Sequence, residues 1–303
     1  MSTVSTVVVA GASGFLGAAL RERLAEAGHE VRQLVRHPTA KPGQVWWDPA
    51  RPLDPDVLRG ARAVVNLGGA SLGRWPWTPA YRHTILASRT TGTATLARAV
   101  AELAGSGEAP RLLQASAVGY YGSRGDEPLD EDSGPGAGFL ADVCRAWEDS
   151  ASAAEDAGAT VVRVRTGIVL ASNGGAAAPL TRLIRLGLGG PLGSGRQWWS
   201  WISLRDHVSA MVHLVGSDLT GPVNLTAPQP ARNRDLVRAL AGGLHRPALL
   251  PAPALPLRLV LGGLADELLL ASQRVTPTRL RDDGFRWTDG DLAAVATYVA
   301  GRP

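Results

Sequence analysis

The chain has 303 residues, enough for one large α/β domain with an appendage or for two closely joined ones, and enough to bury a sizeable core. Its formal net charge of +4 leans basic, but the 31 Lys and Arg residues are scattered among 27 acids without a basic stripe or an aromatic platform, so nucleic acid is not an expected partner. A single cysteine, Cys144, excludes a disulfide framework and a cysteine-based metal centre, and six separated histidines offer no paired ligand spacing, so no metal is expected.

The first predicted element is a β-branched strand, Thr6–Ala10, which runs into Gly11-Ala12-Ser13-Gly14-Phe15-Leu16-Gly17 and then a helix over Phe15–Ala27. In such a strand-turn-helix Gly11 permits the sharp turn, Gly14 lets backbone amides approach a pyrophosphate, and Gly17 lets the helix pack closely on the sheet. The first helical amides then face the phosphates with the positive end of the helix dipole behind them. All seven residues are therefore candidate cofactor contacts. The chain enters this strand almost at once, leaving no room for a signal peptide, and a cytoplasmic location is expected.

A second strand, Glu30–Val35, ends in Arg36-His37. An acidic residue there would bind the ribose hydroxyls of NAD, whereas a cation pairs with a 2′-phosphate, so Arg36 and His37 point to NADP(H) over NAD. Next come a strand at Val45–Trp47, a helix near Asp54–Arg59, and a strand at Ala63–Leu67 that leads into Gly68-Gly69, where small residues leave room for a cofactor backbone. A long helix over Tyr81–Leu103 precedes the strand Arg111–Ala115. At its carboxyl end stand Ala115, facing the cofactor crevice, and Ser116, Tyr120 and Tyr121, whose hydroxyls can polarise a carbonyl or pass a proton; equally, Ser116 can cap the strand and one Tyr can pack in the core.

A helix over 139–157 and a strand over Thr160–Val164 complete an alternation that implies a parallel sheet covered on both faces. Thr166, Gly167 and Ile168 follow that strand and are expected beside the nicotinamide. Gly, Pro and Trp then crowd 173–201, which reads as long loops and short helices over the carboxyl edge of the sheet, where open α/β folds bind ligands. Here Gln197, Trp198 and Trp201 can wall a substrate pocket or simply pin the loop to the core. Asp206 can cap the helix predicted at Arg205–Val215, and a strand follows at Pro222–Leu225. Helices at Asn233–Leu244 and Leu257–Leu270 flank a Pro-punctuated tract. The apolar stretch 255–271 is interrupted by Arg258, Asp266 and Glu267, so it is not a membrane span.

The expected fold class is α/β: a Rossmann-type doubly wound parallel sheet with a smaller, mainly helical C-terminal substrate-side region. Residues 1–170 with 205–228 are expected to form the nucleotide-binding domain, and 171–204 with 229–303 the substrate side.

Taken together, Gly11–Gly17, Ser116–Gly122, Gly138–Ala141, Trp147-Glu148, Arg165–Leu170, Gly187–Gly193, Gln197–Ile202 with Asp206, and Pro222–Leu225 resemble the extended short-chain dehydrogenases/reductases of the NAD-dependent epimerase/dehydratase group. The chain is similar to an atypical branch described as nucleoside-diphosphate-sugar epimerase-like or cell-division-inhibitor-like, whose small terminal domain would include Ser272–Val275 and Pro277. Active members of the superfamily carry Tyr-x-x-x-Lys, with Tyr as acid/base and Lys lowering its pKa. Aligned on Glu148, the resemblance places Leu140 and Cys144 at those positions; aligned on Tyr121-Gly122 as the usual Tyr-Gly, it places Ala117, one residue after Ser116, where a Ser or Thr is usual.

The resemblance implies an NADP(H)-dependent oxidoreductase or epimerase-like enzyme acting on a small carbonyl-containing or conjugated molecule. Two alternatives remain open: a non-catalytic NADP-sensing or partner-binding protein, and an isomerase or epimerase with transient or no net hydride transfer.

Overall fold

The computed structural model describes residues 5–38, 41–175 and 178–301. Seven strands form its central sheet: β1 (Thr6–Ala10), β2 (Glu30–Val35), β3 (Gln44–Trp46), β4 (Ala61–Asn66), β5 (Arg111–Ala117), β6 (Val161–Thr166) and β7 (Gly221–Leu225). They are all parallel and run in the order β3-β2-β1-β4-β5-β6-β7, so the strand order reverses beside β1. This is the doubly wound Rossmann arrangement, in which the crevice opens where the chain turns from one half to the other.

The pleat of β1 explains why both faces are covered. Val7 and Val9 join a core with Leu20 and Leu24 of helix α1 (Phe15–Glu26), while Val8 and Ala10 join a second core with Leu96 and Val100 of helix α2 (Pro79–Ala104). Register then aligns the carboxyl ends: Ala10 pairs with Leu34 and Asn66, Asn66 with Gln114, and Ser116 with Arg165.

Three local expectations change. The helix predicted over 139–157 is two pieces, α3 (Phe139–Asp149) and a short turn Ser152–Asp156, because the chain bends at Ala151 and seats Ala151 and Ala154 in the core beneath α2. The helix predicted near 54–59 is a single tight turn, Pro55–Val57, capped by the Asp54 carboxylate on the Asp56 amide. Gly262, at φ +53°, breaks the Leu257–Leu270 helix into Ala254–Leu261 and a widened turn, Ala265–Leu269. Within 173–201, read as long loops and short helices, an amphipathic helix, Ala178–Arg185, buries Leu180 and Ile184.

The C-terminal side has its own core, in which Trp199 and Trp201 meet Leu236, Val237, Leu240, Val295 and Val299. It is joined to the sheet through helix α4 (Leu204–Gly216). The Asp206 carboxylate accepts the Thr288 and Asp289 amides at 2.8 Å each, and Arg205 pairs with Asp289. Asp206 therefore does not cap its own helix; Ser203 does, its hydroxyl accepting the Asp206 amide at 3.0 Å. No described helix is long and apolar enough to cross a membrane, and among the described residues no group of three metal-ligating side chains converges.

Candidate functional site

A cleft of about 710 Å³ runs across the carboxyl ends of β2, β1 and β4. Gly11, Ser13 and Gly14 line one wall, Arg36 and His37 the β2 end, and Leu67, Gly68 and Gly69 the opposite wall. A Cβ on Gly11, which has φ +81°, would stand 2.9 Å from the Leu67 carbonyl carbon, and one on Gly17 would overlap the Gly11 carbonyl oxygen. These two glycines fix the turn and the close approach of α1. Gly14 is different: its Cβ would meet protein only at the Gly11 oxygen, 3.3 Å away. The N-terminus of α1 carries no side-chain cap and no acid in its first turn, so its amides are available to an anion in the cleft.

The other members of the glycine turn face elsewhere. Ala12 is buried, Leu16 packs against the core, and the Phe15 ring lies against Gly174 and Gly175. Asn66 and Ala70, the two ends of the strand-end run Asn66–Ala70, also line the far wall, while sequence reasoning missed Trp47 and Pro49 near the β2 end and a face of α2 made of Thr84, Ala87, Ser88, Thr91 and Gly92. That face had a readable signal: small and polar residues at i, i+3, i+4, i+7 and i+8 within one predicted helix.

Behind the end of β5 lies a buried polar network. The Ser116 hydroxyl donates to Glu148 Oε1 at 2.6 Å, and the Arg165 Nε and Nη2 atoms each donate to the Glu148 carboxylate at 2.9 Å. Arg165 Nη1 donates to the Tyr121 hydroxyl at 3.0 Å, which in turn donates to Asn224 Oδ1 at 2.8 Å. The Tyr120 ring covers the guanidinium, 3.5 Å from its carbon to the ring centroid. Ser116 is 3% exposed and Tyr121 fully enclosed, whereas Tyr120 is half-buried. Burial pushes the Tyr121 phenol up to about 12 despite the pull of Arg165. Burial also works against the Arg165 charge, but the bonds to Glu148 and Tyr121 outweigh it and raise the pKa.

Ala115 is buried in β5, and Thr166 ends β6 with its hydroxyl 3.2 Å from His207 Nε2. Gly167 sits where a Cβ would press on the Ser200 carbonyl, and Ile168 packs toward the C-terminal core. None of these four lines the cleft. Cys144 is buried and its thiol is pushed up to about 12, mainly by burial and then by Glu148.

The Trp-rich loop divides. Trp201 is buried in the C-terminal core, and the Gln197 amide donates to the Leu192 and Leu269 carbonyls at 3.0 Å each, so both pin the loop. Trp198 is partly exposed and lies between Arg232 and Arg274, donating to Asp126 at 2.9 Å.

A second cavity, about 200 Å³, opens between Gly119, Gly122, Ser123 and Leu140 on the sheet side and Asp266, Glu267 and Gln273 on the C-terminal side. The Glu267 carboxylate spans it to accept the Phe139 and Leu140 amides at 2.9 and 3.1 Å. The sequence marked Glu267 only as a break in an apolar run.

Residues 252–297 match a domain of unknown function, DUF1731. The chain is 40% identical over 301 residues, 99% of each sequence, to an epimerase family protein of Mycobacterium tuberculosis. It superposes with a TM-score of 0.89 on the crystal structure of the human epimerase family protein SDR39U1 with NADPH, at 31% identity and covering 98% of this chain and 99% of that one. It also superposes with a TM-score of 0.80 on a nucleoside-diphosphate sugar epimerase from Corynebacterium glutamicum, at 35% identity over 99% of this chain and 59% of that one. With residues 7–225 matching its family model, a doubly wound parallel sheet and the glycine cradle at the end of β1, the chain belongs to the NAD dependent epimerase/dehydratase family, among the extended short-chain dehydrogenases/reductases.

Proposed function

We propose that the protein binds NADP(H) in the cleft across β2, β1 and β4 and acts on a small carbonyl-containing or conjugated molecule, as an oxidoreductase or epimerase-like enzyme. The observation that carries this is the pairing of a cradle that a Cβ at Gly14 would begin to fill with Arg36 and His37 at the opposite end. The amides at the start of α1 suit the pyrophosphate, and the Arg36 guanidinium suits a 2′-phosphate as a charge-assisted donor. The human relative with NADPH supports the choice. When bound, the cofactor supplies or accepts a hydride at its nicotinamide ring.

The chain's own residues then bind and orient. Ser116, held by Glu148 at the end of β5 beside Arg165 of β6, fixes that edge of the sheet, and Ala115, Thr166, Gly167 and Ile168 brace it from behind without lining the cleft. Tyr121, with its phenol engaged and its pKa raised, is a positioning residue for Arg165 and Tyr120; the Tyr120 hydroxyl is the proton donor available to a substrate. The 200 Å³ cavity below Glu267 suits a small uncharged substrate better than a nucleoside diphosphate sugar, because its volume is small and two carboxylates border it.

A second reading, an NADP-sensing protein without turnover, is favoured by one observation: Leu140 and Cys144 are both buried, and neither can move a proton near neutrality. Calorimetric titration with NADPH and NADH, followed by a turnover screen over carbonyls and enones, tests both. NADPH is expected to bind at least roughly 10-fold tighter than NADH, with Arg36→Ala removing the difference, as one charge-assisted hydrogen bond allows. Equal affinities in the wild type would overturn the NADP assignment, and tight binding without turnover across the panel would leave the sensing reading.

A further inference from the structure

Most of the large apolar side chains left exposed among the described residues come from two stretches, 178–192 and 244–261. Backbone bonds hold the two side by side. The Leu250 amide donates to the Gly189 carbonyl at 3.4 Å, the Ala252 amide to the Pro191 carbonyl at 2.9 Å, and Arg246 Nε to the Arg185 carbonyl at 3.0 Å. Leu186 and Leu188 thus stand beside Leu249 and Leu250, and all four are more than half exposed. The helix Ala254–Leu261 follows at once, and not one of its residues is buried. Its Leu257 and Leu261 reach the cores in part, whereas Leu255 and Leu259, one turn apart on the outer side, and Val260 are each at least 60% exposed. An apolar surface of this extent marks a place of contact.

The charges in the same stretches say what makes that contact. They carry Arg182, Arg185, Arg246 and Arg258 and no Asp or Glu. Arg258 is paired with Asp266 at 2.8 Å. Arg182, Arg185 and Arg246 are exposed, and among the described residues none of the three forms an ion pair; Arg185 and Arg246 donate to backbone carbonyls. A second copy of the chain would set these arginines against an equally acid-free surface, where like charges repel. An anionic lipid surface takes both features. Its headgroup phosphates receive the guanidinium groups, and leucines enter the layer where headgroups meet acyl chains. Pro253, Pro256 and Arg258 interrupt the stretch, so it lies in that layer rather than spanning the bilayer.

We infer that the face formed by 186–190, 249–252 and the helix Ala254–Leu261 docks the protein on an anionic membrane surface, with its leucines inserted and Arg182, Arg185 and Arg246 on the headgroups beside them. This goes beyond the proposed cofactor chemistry and does not depend on it.

Vesicle flotation tests it, with phosphatidylcholine alone and with about one-third phosphatidylglycerol added. The wild type is expected to float with the anionic vesicles, to stay in the buffer beside the neutral ones, and to be released by roughly 0.5 M salt. Leu255→Ser with Leu259→Ser should weaken vesicle binding at least roughly 10-fold through lost apolar burial, and Arg182→Gln with Arg246→Gln roughly 10–30-fold through lost headgroup attraction. All four side chains are exposed, so neither pair should move the melting temperature. Leu259→Cys gives a second readout. Cys144 is enclosed, so an environment-sensitive fluorophore attaches at position 259, and its emission should shift to the blue on anionic vesicles. No binding to either vesicle, equal binding to both, or binding that either pair leaves unchanged would overturn the inference. So would a dimer in sedimentation velocity that the leucine pair splits while vesicles leave the protein in solution, because the face then belongs to a second copy. Should the leucine pair unfold the protein, the fluorophore decides, and an unshifted emission overturns the insertion.

Discussion

His207 illustrates how little a residue type says before its surroundings are known. It is enclosed at the start of α4, with Nε2 3.2 Å from the Thr166 hydroxyl and Nδ1 buried without a partner. Burial pushes its pKa from 6.5 down to about 4. The unfolded chain thus takes up a proton that the folded chain refuses between those two values, so the stabilisation is whole above 6.5 and lost as pH falls toward 4. Replacing His207 with Phe or Asn should flatten the decline in melting temperature between pH 7 and pH 4, by an amount equivalent to about 2–3 kcal/mol of linkage. Thermal scans across that range check it; an unchanged pH slope would mean that His207 titrates normally. The same lesson holds for Ser116 and Tyr121. Their presence at a strand end was legible, but their saturation by Glu148, Arg165 and Asn224 was not, because those partners come from other elements.

At the level of elements, the sequence was most readable where a structural requirement is local. Gly17 must lack a Cβ because helix α1 returns over the Gly11 carbonyl only a few residues away. Gly17→Ala should therefore destabilise the protein by about 1–3 kcal/mol through forced displacement of α1, a cost that urea unfolding reads directly. Gly14→Ala, with contact only at 3.3 Å, should leave the fold nearly as stable. If both substitutions prove equally mild, α1 is not held by this approach. Helix α2 was harder: its existence was plain from its length, but its cleft-facing stripe from Thr84 to Gly92 became meaningful only once β4 and β1 set its orientation. The break at Ala151 was hidden because alanine and serine suit a helix, and the bend answers to packing beneath α2.

The whole molecule is held together by carboxylates that cross between its two sides. Asp206 receives two amides from residues 288 and 289, and Glu267 receives two from the start of α3. Glu267 thereby anchors a C-terminal turn to the helix that borders the smaller cavity, with the favourable end of the α3 dipole adding to the bonds. Glu267→Ala should speed hydrogen exchange at Phe139, Leu140 and the 265–269 turn while leaving β1, β4 and β5 protected. Uniform exchange behaviour across the two proteins would show that the carboxylate is not the tie. By itself the sequence determined the parallel sheet, the glycine turn and the cation at the end of β2, because strand periodicity, left-handed φ and Cβ overlap act over a few residues. Only the tertiary structure decided which polar groups are free to act. Ser116, Tyr121 and Arg165 meet partners 32, 103 and 17 residues away, and both pairing and desolvation are set by contacts that the chain's order does not display.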